Sequence, residues 1–302
     1  MPSLLDDVRE VARGWRWTRR PLTPRDALPR AAPPEAREFP TEWARRPAAR
    51  ATREAVQQYL LKPLVWNETA PHVEGLDRLE GLRPPVMFVS NHSSHLDAPL
   101  VLCSLPKAWR ERTATAAAAD YFFDVWWRAA STALVFNAFP IDRAGSGRAT
   151  STAARLVQDG WNLLVFPEGT RSKDGWVGRF RSGAARLCLE HDMPAVPVAI
   201  RGAYAAMPRG RGWPRKGRFP VSVRYGEPVT PSVDQTAAAF SGRLQEALAR
   251  IWHEDASTWW EAVRRAEAGD LPAPAGPEGP RWRRVWEASR PLPRRRADRV
   301  WR

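Results

Sequence analysis

Residues 89–97 read VSNHSSHLD, with His92 five positions before Asp97. The apolar run Val86–Ser90 has the texture of a short buried strand, and Asn91-His92-Ser93-Ser94 after it is rich in residues that stop a strand and cap a helix. This predicts a strand-to-helix junction with His92 just outside the carboxyl end of a buried strand, where open α/β sheets build their sites. A separation of five is awkward for one face of a regular helix. Across a turn and the first helical turn, however, the carboxylate can meet an imidazole nitrogen. The Asp then fixes the tautomer, and the other nitrogen can take a proton from an alcohol. Two plainer readings share the stretch. One is a polar loop whose Asn and Ser only cap a helix. The other is a metal site drawing on His92, His95 and Asp97, for which no further His or Cys cluster completes a shell.

Outward from this junction the same texture recurs. Asn162–Phe166, Ala195–Ile200 and Val221–Tyr225 also read as strands, with helix-like segments between them. That alternation predicts an α/β fold, a mostly parallel central sheet flanked by helices. Helical spacing is also present over about 48–61, with Ala51, Ala55, Tyr59 and Leu60 along one face, over 233–252, and near Trp259 and Val263. Residues 4–15 place Leu4, Leu5, Val8, Val11, Ala12 and Trp15 on an amphipathic helix that ends in a basic, aromatic run. A Pro-rich linker follows it. The expected division is therefore 1–60, an amphipathic and Pro-rich membrane-surface region, 61–265, the α/β domain, and 266–302, a loose Gly/Pro- and Arg/Trp-rich tail.

Composition narrows the function. The 302 residues are 43% hydrophobic, enough for a substantial core. No stretch reaches the roughly 18 consecutive apolar residues of a spanning helix, which excludes a polytopic transporter. Asp6, Asp7 and Glu10 interrupt any signal-peptide core, so secretion is not expected. Cys103 and Cys188 have no CxxC partner, which fits a reducing compartment. The net charge of +14 calls for an anionic partner: nucleic acid, a membrane surface or phosphorylated substrates. Sixteen tryptophans favour the membrane interface. Half of the net charge lies in 281–302, where nine arginines surround Trp282, Trp286 and Trp301.

Three further stretches carry polar residues at the ends of apolar segments. In LLVFPEGTRS, 163–172, Gly169 lets the backbone approach a ligand, and Arg171 offers a fork suited to phosphate oxygens. The stretch is no nucleotide P-loop, lacking the Gly-Lys-Ser/Thr ending. An ordinary surface turn with a Glu168–Arg171 salt bridge remains the plainer alternative. Phe139-Pro140-Ile141-Asp142-Arg143 ends in an acid–arginine pair, and Val196-Pro197-Val198-Ala199-Ile200 is followed by Arg201.

In this order the four blocks resemble those of the glycerolipid acyltransferase family, the PlsC-like lysophosphatidate acyltransferases. NHSSHLD is similar to its HX4D block, FPIDR to the second, FPEGTRS to the third and VPVAI to the fourth. The likeness covers about 60–250. Two departures stand out: Asn137 where the family usually has glycine, and Phe180-Arg181-Ser182-Gly183 for its FKxG run. The resemblance implies that an acyl group passes from an acyl-CoA or acyl carrier protein thioester to a glycerolipid hydroxyl, lysophosphatidate first among acceptors. Glycerol 3-phosphate, another lysophospholipid or a glycolipid are the alternatives. It also implies that His92 is the general base and that Asp97 orients it. Arg143 and Arg171 would hold the acceptor phosphate, with Glu168, Gly169 and Thr170 shaping that site and Arg181 and Arg201 as further candidates. No metal or organic cofactor is implied. With membrane-lipid substrates and no spanning segment, the expectation is a monotopic, peripheral protein on the cytoplasmic face of the cell membrane, bound to an anionic surface. The aromatic stretch 121–139 reads either as helix core or as a membrane-facing wall or acyl channel. Outside this family, a nucleic-acid-binding protein lacks any helix-turn-helix, zinc or RNP signature. A non-catalytic membrane scaffold with a decayed site sits poorly with an intact His92/Asp97 pair.

Overall fold

The computed structural model describes residues 39–123, 125–141 and 147–293. β1 (Thr69–Glu74), β2 (Met87–Ser90), β3 (Thr113–Ala118), β4 (Ala138–Ile141), β5 (Asn162–Val165), β6 (Ala195–Arg201) and β7 (Phe219–Tyr225) form one sheet in the order β1-β7-β6-β2-β5-β3-β4. Every neighbouring pair is parallel except β6 with β7. The carboxyl ends of β2 to β6 therefore share one edge of the sheet, and the loops leaving that edge carry His92 and the 166–172 stretch.

Strand β2 shows why the central strands are apolar without alternation. Phe88 packs on one face with Leu100, Leu164, Val196 and Tyr225, while Met87 and Val89 pack on the other with Leu163, Ala185, Phe240 and Leu244. A parallel strand buried on both faces has no solvent side to mark with polar residues. The covering helices are α1 (Pro47–Val56), which runs through a π-helical segment Gln57–Leu61 into α2 (Lys62–Glu68), then α3 (Asp97–Ser104), α4 (Trp126–Phe136), α5 (Gly147–Gln158), α6 (Ser182–Glu190), α7 (Ala237–Ala256), α8 (Trp259–Ala268) and α9 (Arg281–Ala288). Thr236 starts α7 by accepting the N–H of Ala239 at 3.2 Å, a side-chain N-cap.

The expected α/β fold is present, with four of its strands where the apolar runs put them. The other three carried no strand signal: β1 contains Pro71, β3 is TATAAA, and β4 contains Pro140. The helix expected over 48–61 forms, but its Ala51, Ala55, Tyr59 and Leu60 face is the exposed one, with Tyr59 81% accessible. Arg53 and Gln57 point inward instead, where they donate to the carbonyls of Ala44 and Val135, both at 2.7 Å. The stretch 121–139 divides residue by residue. Phe123 and Phe139 are core, whereas Trp126 and Trp127 are 75% and 55% exposed. Part of the expected loose tail, residues 270–293, packs on the body. The helix expected over 4–15, the linker after it, Asp142, Arg143 and residues 294–302 lie outside the described residues.

Asn137 ends α4 in the left-handed region, at φ 48° and ψ 40°. Non-glycine residues seldom adopt this conformation, and Asn is among the few that do. Here the side chain is fully buried, donates to the carbonyl of Thr113 at 3.2 Å and accepts from Arg45 at 3.4 Å. The turn that a glycine would permit is thus made by an asparagine with its amide satisfied.

Candidate active site

Strand β2 stops at Ser90 because Asn91 turns its amide sideways. Its Nδ2 donates to the carbonyl of Ile200 at 2.9 Å and its Oδ1 accepts the N–H of Ile200 at 2.8 Å, fastening the strand end to β6. The next residues fold back over the first turn of α3, which begins at Asp97. Asp97 is fully buried, and its Oδ2 accepts the N–H of Ser93 at 2.6 Å and of Ser94 at 2.8 Å. The same oxygen lies 2.8 Å from His92 Nδ1. A five-residue separation closes in this way because the loop, and not a helix, spans it. Facing an anionic acceptor, Nδ1 is the nitrogen on which the neutral ring keeps its proton, and Nε2 then carries the lone pair.

Three other contacts hold His92. Its ring stacks on Phe166, with centroids 4.2 Å apart. Its N–H donates to Glu168 Oε1 at 2.8 Å, and its carbonyl accepts the N–H of Ser172 at 2.7 Å. Glu168 Oε2 takes the N–H of Gly178 at 2.9 Å. Glu168, expected to shape the acceptor site, thus ties two backbone segments of that site together. Burial pushes this carboxyl up to about 7, against the pull of the two amide donors. Ser94 completes the frame by donating to the carbonyl of Met207 at 2.7 Å.

Beside His92 opens a cavity of about 380 Å³. His92, His95, Gly169, Thr170, Arg171 and Arg209 form its polar end. Its other walls are mostly apolar, with Phe122, Phe136, Phe166, Ile141 and the small residues Ala116, Ala117, Ala118 and Ala138, alongside Thr115 and Thr132. Small side chains along β3 and β4 leave the space that larger ones would fill. Burial, followed by the charges of Arg171 and His92, lowers the His95 imidazole to about 4, so it is neutral at pH 7.

The structure thus brings His92, Asp97, Glu168, Gly169, Thr170 and Arg171 together. Arg181 packs its guanidinium against Gly169, which has φ 72°. Arg201 is not part of this cluster. Its guanidinium pairs with Asp255 at 2.6 Å, lies over the Trp252 ring and lines a different cleft, because it projects from β6 toward α7. Arg209, which donates to the Arg171 carbonyl at 3.2 Å, carried no sequence signal, being one of several arginines in a Gly/Pro-rich loop. Among the described residues no group of three or more His, Cys, Asp or Glu is arranged to hold a metal ion, and no helix is long and apolar enough to cross a membrane.

Residues 70–201 match the protein family described as Acyltransferase. A chloroplastic 1-acyl-sn-glycerol-3-phosphate acyltransferase of Brassica napus is 32% identical over 138 residues, 46% of this chain and 39% of that protein. A 1-acyl-sn-glycerol-3-phosphate acyltransferase of Limnanthes douglasii is 30% identical over 161 residues, 50% of this chain and 52% of that protein. The chain therefore spans about half or less of these curated relatives. Among solved structures, the 1-acyl-sn-glycerophosphate acyltransferase PlsC of Thermotoga maritima superposes with a TM-score of 0.50 at 27% identity, covering 67% of this chain and 82% of that one.

Proposed function

We propose, from the match of residues 70–201 to the family described as Acyltransferase, that the chain moves a fatty acyl group from an acyl thioester to the free hydroxyl of lysophosphatidate, giving phosphatidate. The observation that carries this reading is the 2.8 Å contact of His92 Nδ1 with buried Asp97, set at the polar end of a largely apolar cavity. His92 Nε2 takes the proton of the acceptor hydroxyl as its oxygen attacks the thioester carbonyl. Asp97 stabilises the resulting imidazolium. Collapse of the tetrahedral adduct breaks the C–S bond, and the proton passes from His92 to the departing thiolate. Arg171 binds the acceptor phosphate through a charge-assisted fork, and the apolar walls take an acyl chain. The acyl donor, acyl-CoA or acyl carrier protein, is a co-substrate.

Both lipids partition into a bilayer, so the protein works as a peripheral membrane protein on the anionic cytoplasmic face. Exposed Tyr59, Leu60, Trp126 and Trp127 support this, since large apolar and aromatic side chains gain by leaving water at an interface. Sedimentation with anionic vesicles tests the membrane reading, and an undiminished soluble fraction contradicts it. For the chemistry, labelled acyl-CoA is incubated with the protein and a panel of lysolipids. Labelled phosphatidate is the expected product; acylation of every lysolipid except lysophosphatidate contradicts the acceptor assignment.

A further inference from the structure

Residues 270–293 lie outside the family-matched segment, yet they fasten onto the loop that follows Arg171. Pro274 accepts the N–H of Val177 at 3.1 Å, and Arg284 accepts the indole N–H of Trp176 at its carbonyl, also at 3.1 Å. Gly276 lies so close under Trp176 that a Cβ there would meet the indole at 2.3 Å. The side chain of Arg284 spends every arm of its fork on this junction. Nε donates to Asp174 Oδ2 at 2.6 Å, Nη1 to the Pro277 carbonyl at 3.0 Å and Nη2 to the Ala275 carbonyl at 2.7 Å.

Asp174 in turn organises the loop. Its Oδ1 accepts Ser172 Oγ at 3.0 Å and the N–H of Trp176 at 3.3 Å, and Ser172 Oγ accepts the N–H of Gly175 at 3.0 Å. Ser172, the residue after Arg171, donates its own N–H to the His92 carbonyl. A short path of hydrogen bonds therefore runs from Arg284 through Asp174 and Ser172 to His92. Apolar packing is the smaller part of this junction: Pro274 is buried and Gly276 lies under Trp176, but α9, the segment's one helix, contains no buried residue. What the segment adds to the loop beyond that packing is directional and polar.

We propose that residues 270–293 form a clasp, and that Arg284, by holding Asp174, is a positioning residue that fixes Arg171 and the His92 backbone for acyl transfer. This rests on the function proposed above. The test compares full-length wild type with Arg284→Ala, Asp174→Asn and the double variant, by amide hydrogen exchange and by steady-state kinetics with lysophosphatidate and acyl-CoA. In Arg284→Ala the amides of Gly175 and Trp176 should exchange on the order of tenfold faster, as expected when a bond to a charged group is lost. The acceptor KM should rise and kcat fall by similar factors, while the donor KM stays within about twofold of wild type. Asp174→Asn should behave alike, and the double variant should be no worse than the poorer single one. Arg284→Lys keeps the charge on Asp174 but loses the fork, so it should be intermediate; it carries the test if the alanine variant does not fold. Unchanged exchange, faster exchange with unchanged kinetics, or single effects that multiply in the double variant would each overturn the proposal. A wild type inert toward lysophosphatidate contradicts the functional reading alone, and the clasp is then judged on exchange at Gly175 and Trp176.

Discussion

Glu168 Oε1 accepts the backbone N–H of His92 at 2.8 Å, while its other oxygen accepts that of Gly178 at 2.9 Å. One buried carboxylate thus joins the loop after β2 to the loop that follows Arg171. Glutamine offers a single acceptor in that place, so Glu168→Gln should strand one buried N–H against an NH₂ group. The expected cost is about 1–3 kcal/mol of stability, with a fall in kcat, read by denaturant melts and steady-state assays.

The raised carboxyl gives this contact a pH signature. Glu168 holds its proton up to about 7 in the folded protein against an ordinary 4.5, so between these values the folded state binds more protons than the unfolded one. Its contribution is present below 4.5 and is lost as pH rises through 7. The stability of wild type relative to Glu168→Gln should therefore decline from pH 5 to pH 8. A flat difference would contradict the buried, protonatable carboxyl.

Arg171 lines the polar end of the cavity. Arg171→Ala should raise the KM for a phosphate-bearing acceptor by roughly 10- to 150-fold, the equivalent of about 1.5–3 kcal/mol for a charge-assisted contact. The donor KM should move little. A larger effect on acyl-CoA would mean that this arginine reads the donor's phosphates.

Ala116 is half-buried on β3 and faces the cavity. Ala116→Leu should fill part of that space and shift preference toward shorter acyl donors, measured as kcat/KM across a chain-length series. An unchanged profile would place the acyl chain elsewhere.

Asn137 offers a test of the turn before β4. Asn137→Gly keeps the left-handed backbone and loses the side-chain bonds, whereas Asn137→Ala also incurs roughly 1–2 kcal/mol of conformational strain. Stability should fall in the order wild type, Gly, Ala, as judged from denaturation midpoints.

The residues themselves made much of this legible. Val86–Ser90 and Ala195–Ile200 are apolar without alternation, as strands buried on both faces must be, and the His92/Asp97 junction follows from strand-stopping residues in a row. What stayed hidden has physical causes. TATAAA in β3 has no large apolar side chain to mark a buried strand, and the small residues are what leave room for the cavity. Gln57 and Arg53 invert the expected face of the 48–61 helix because the carbonyls of Val135 and Ala44 reward them, and no periodicity measures that. Arg284 looked like one more charge in a basic tail; only its three simultaneous partners, on residues 174, 275 and 277, distinguish it. Arg201, conversely, ends an apolar strand as Arg171 follows one, but the pleat turns it toward Asp255.

We propose that His92, oriented by Asp97, is the base that activates the acceptor hydroxyl. The most direct measurement is labelled acyl transfer to lysophosphatidate by wild type and His92→Ala in the same anionic vesicles, with vesicle binding followed in parallel. Wild type should give labelled phosphatidate, and His92→Ala should lose activity on the order of 10²- to 10⁴-fold at undiminished vesicle binding. Turnover of His92→Ala within a few-fold of wild type would contradict it.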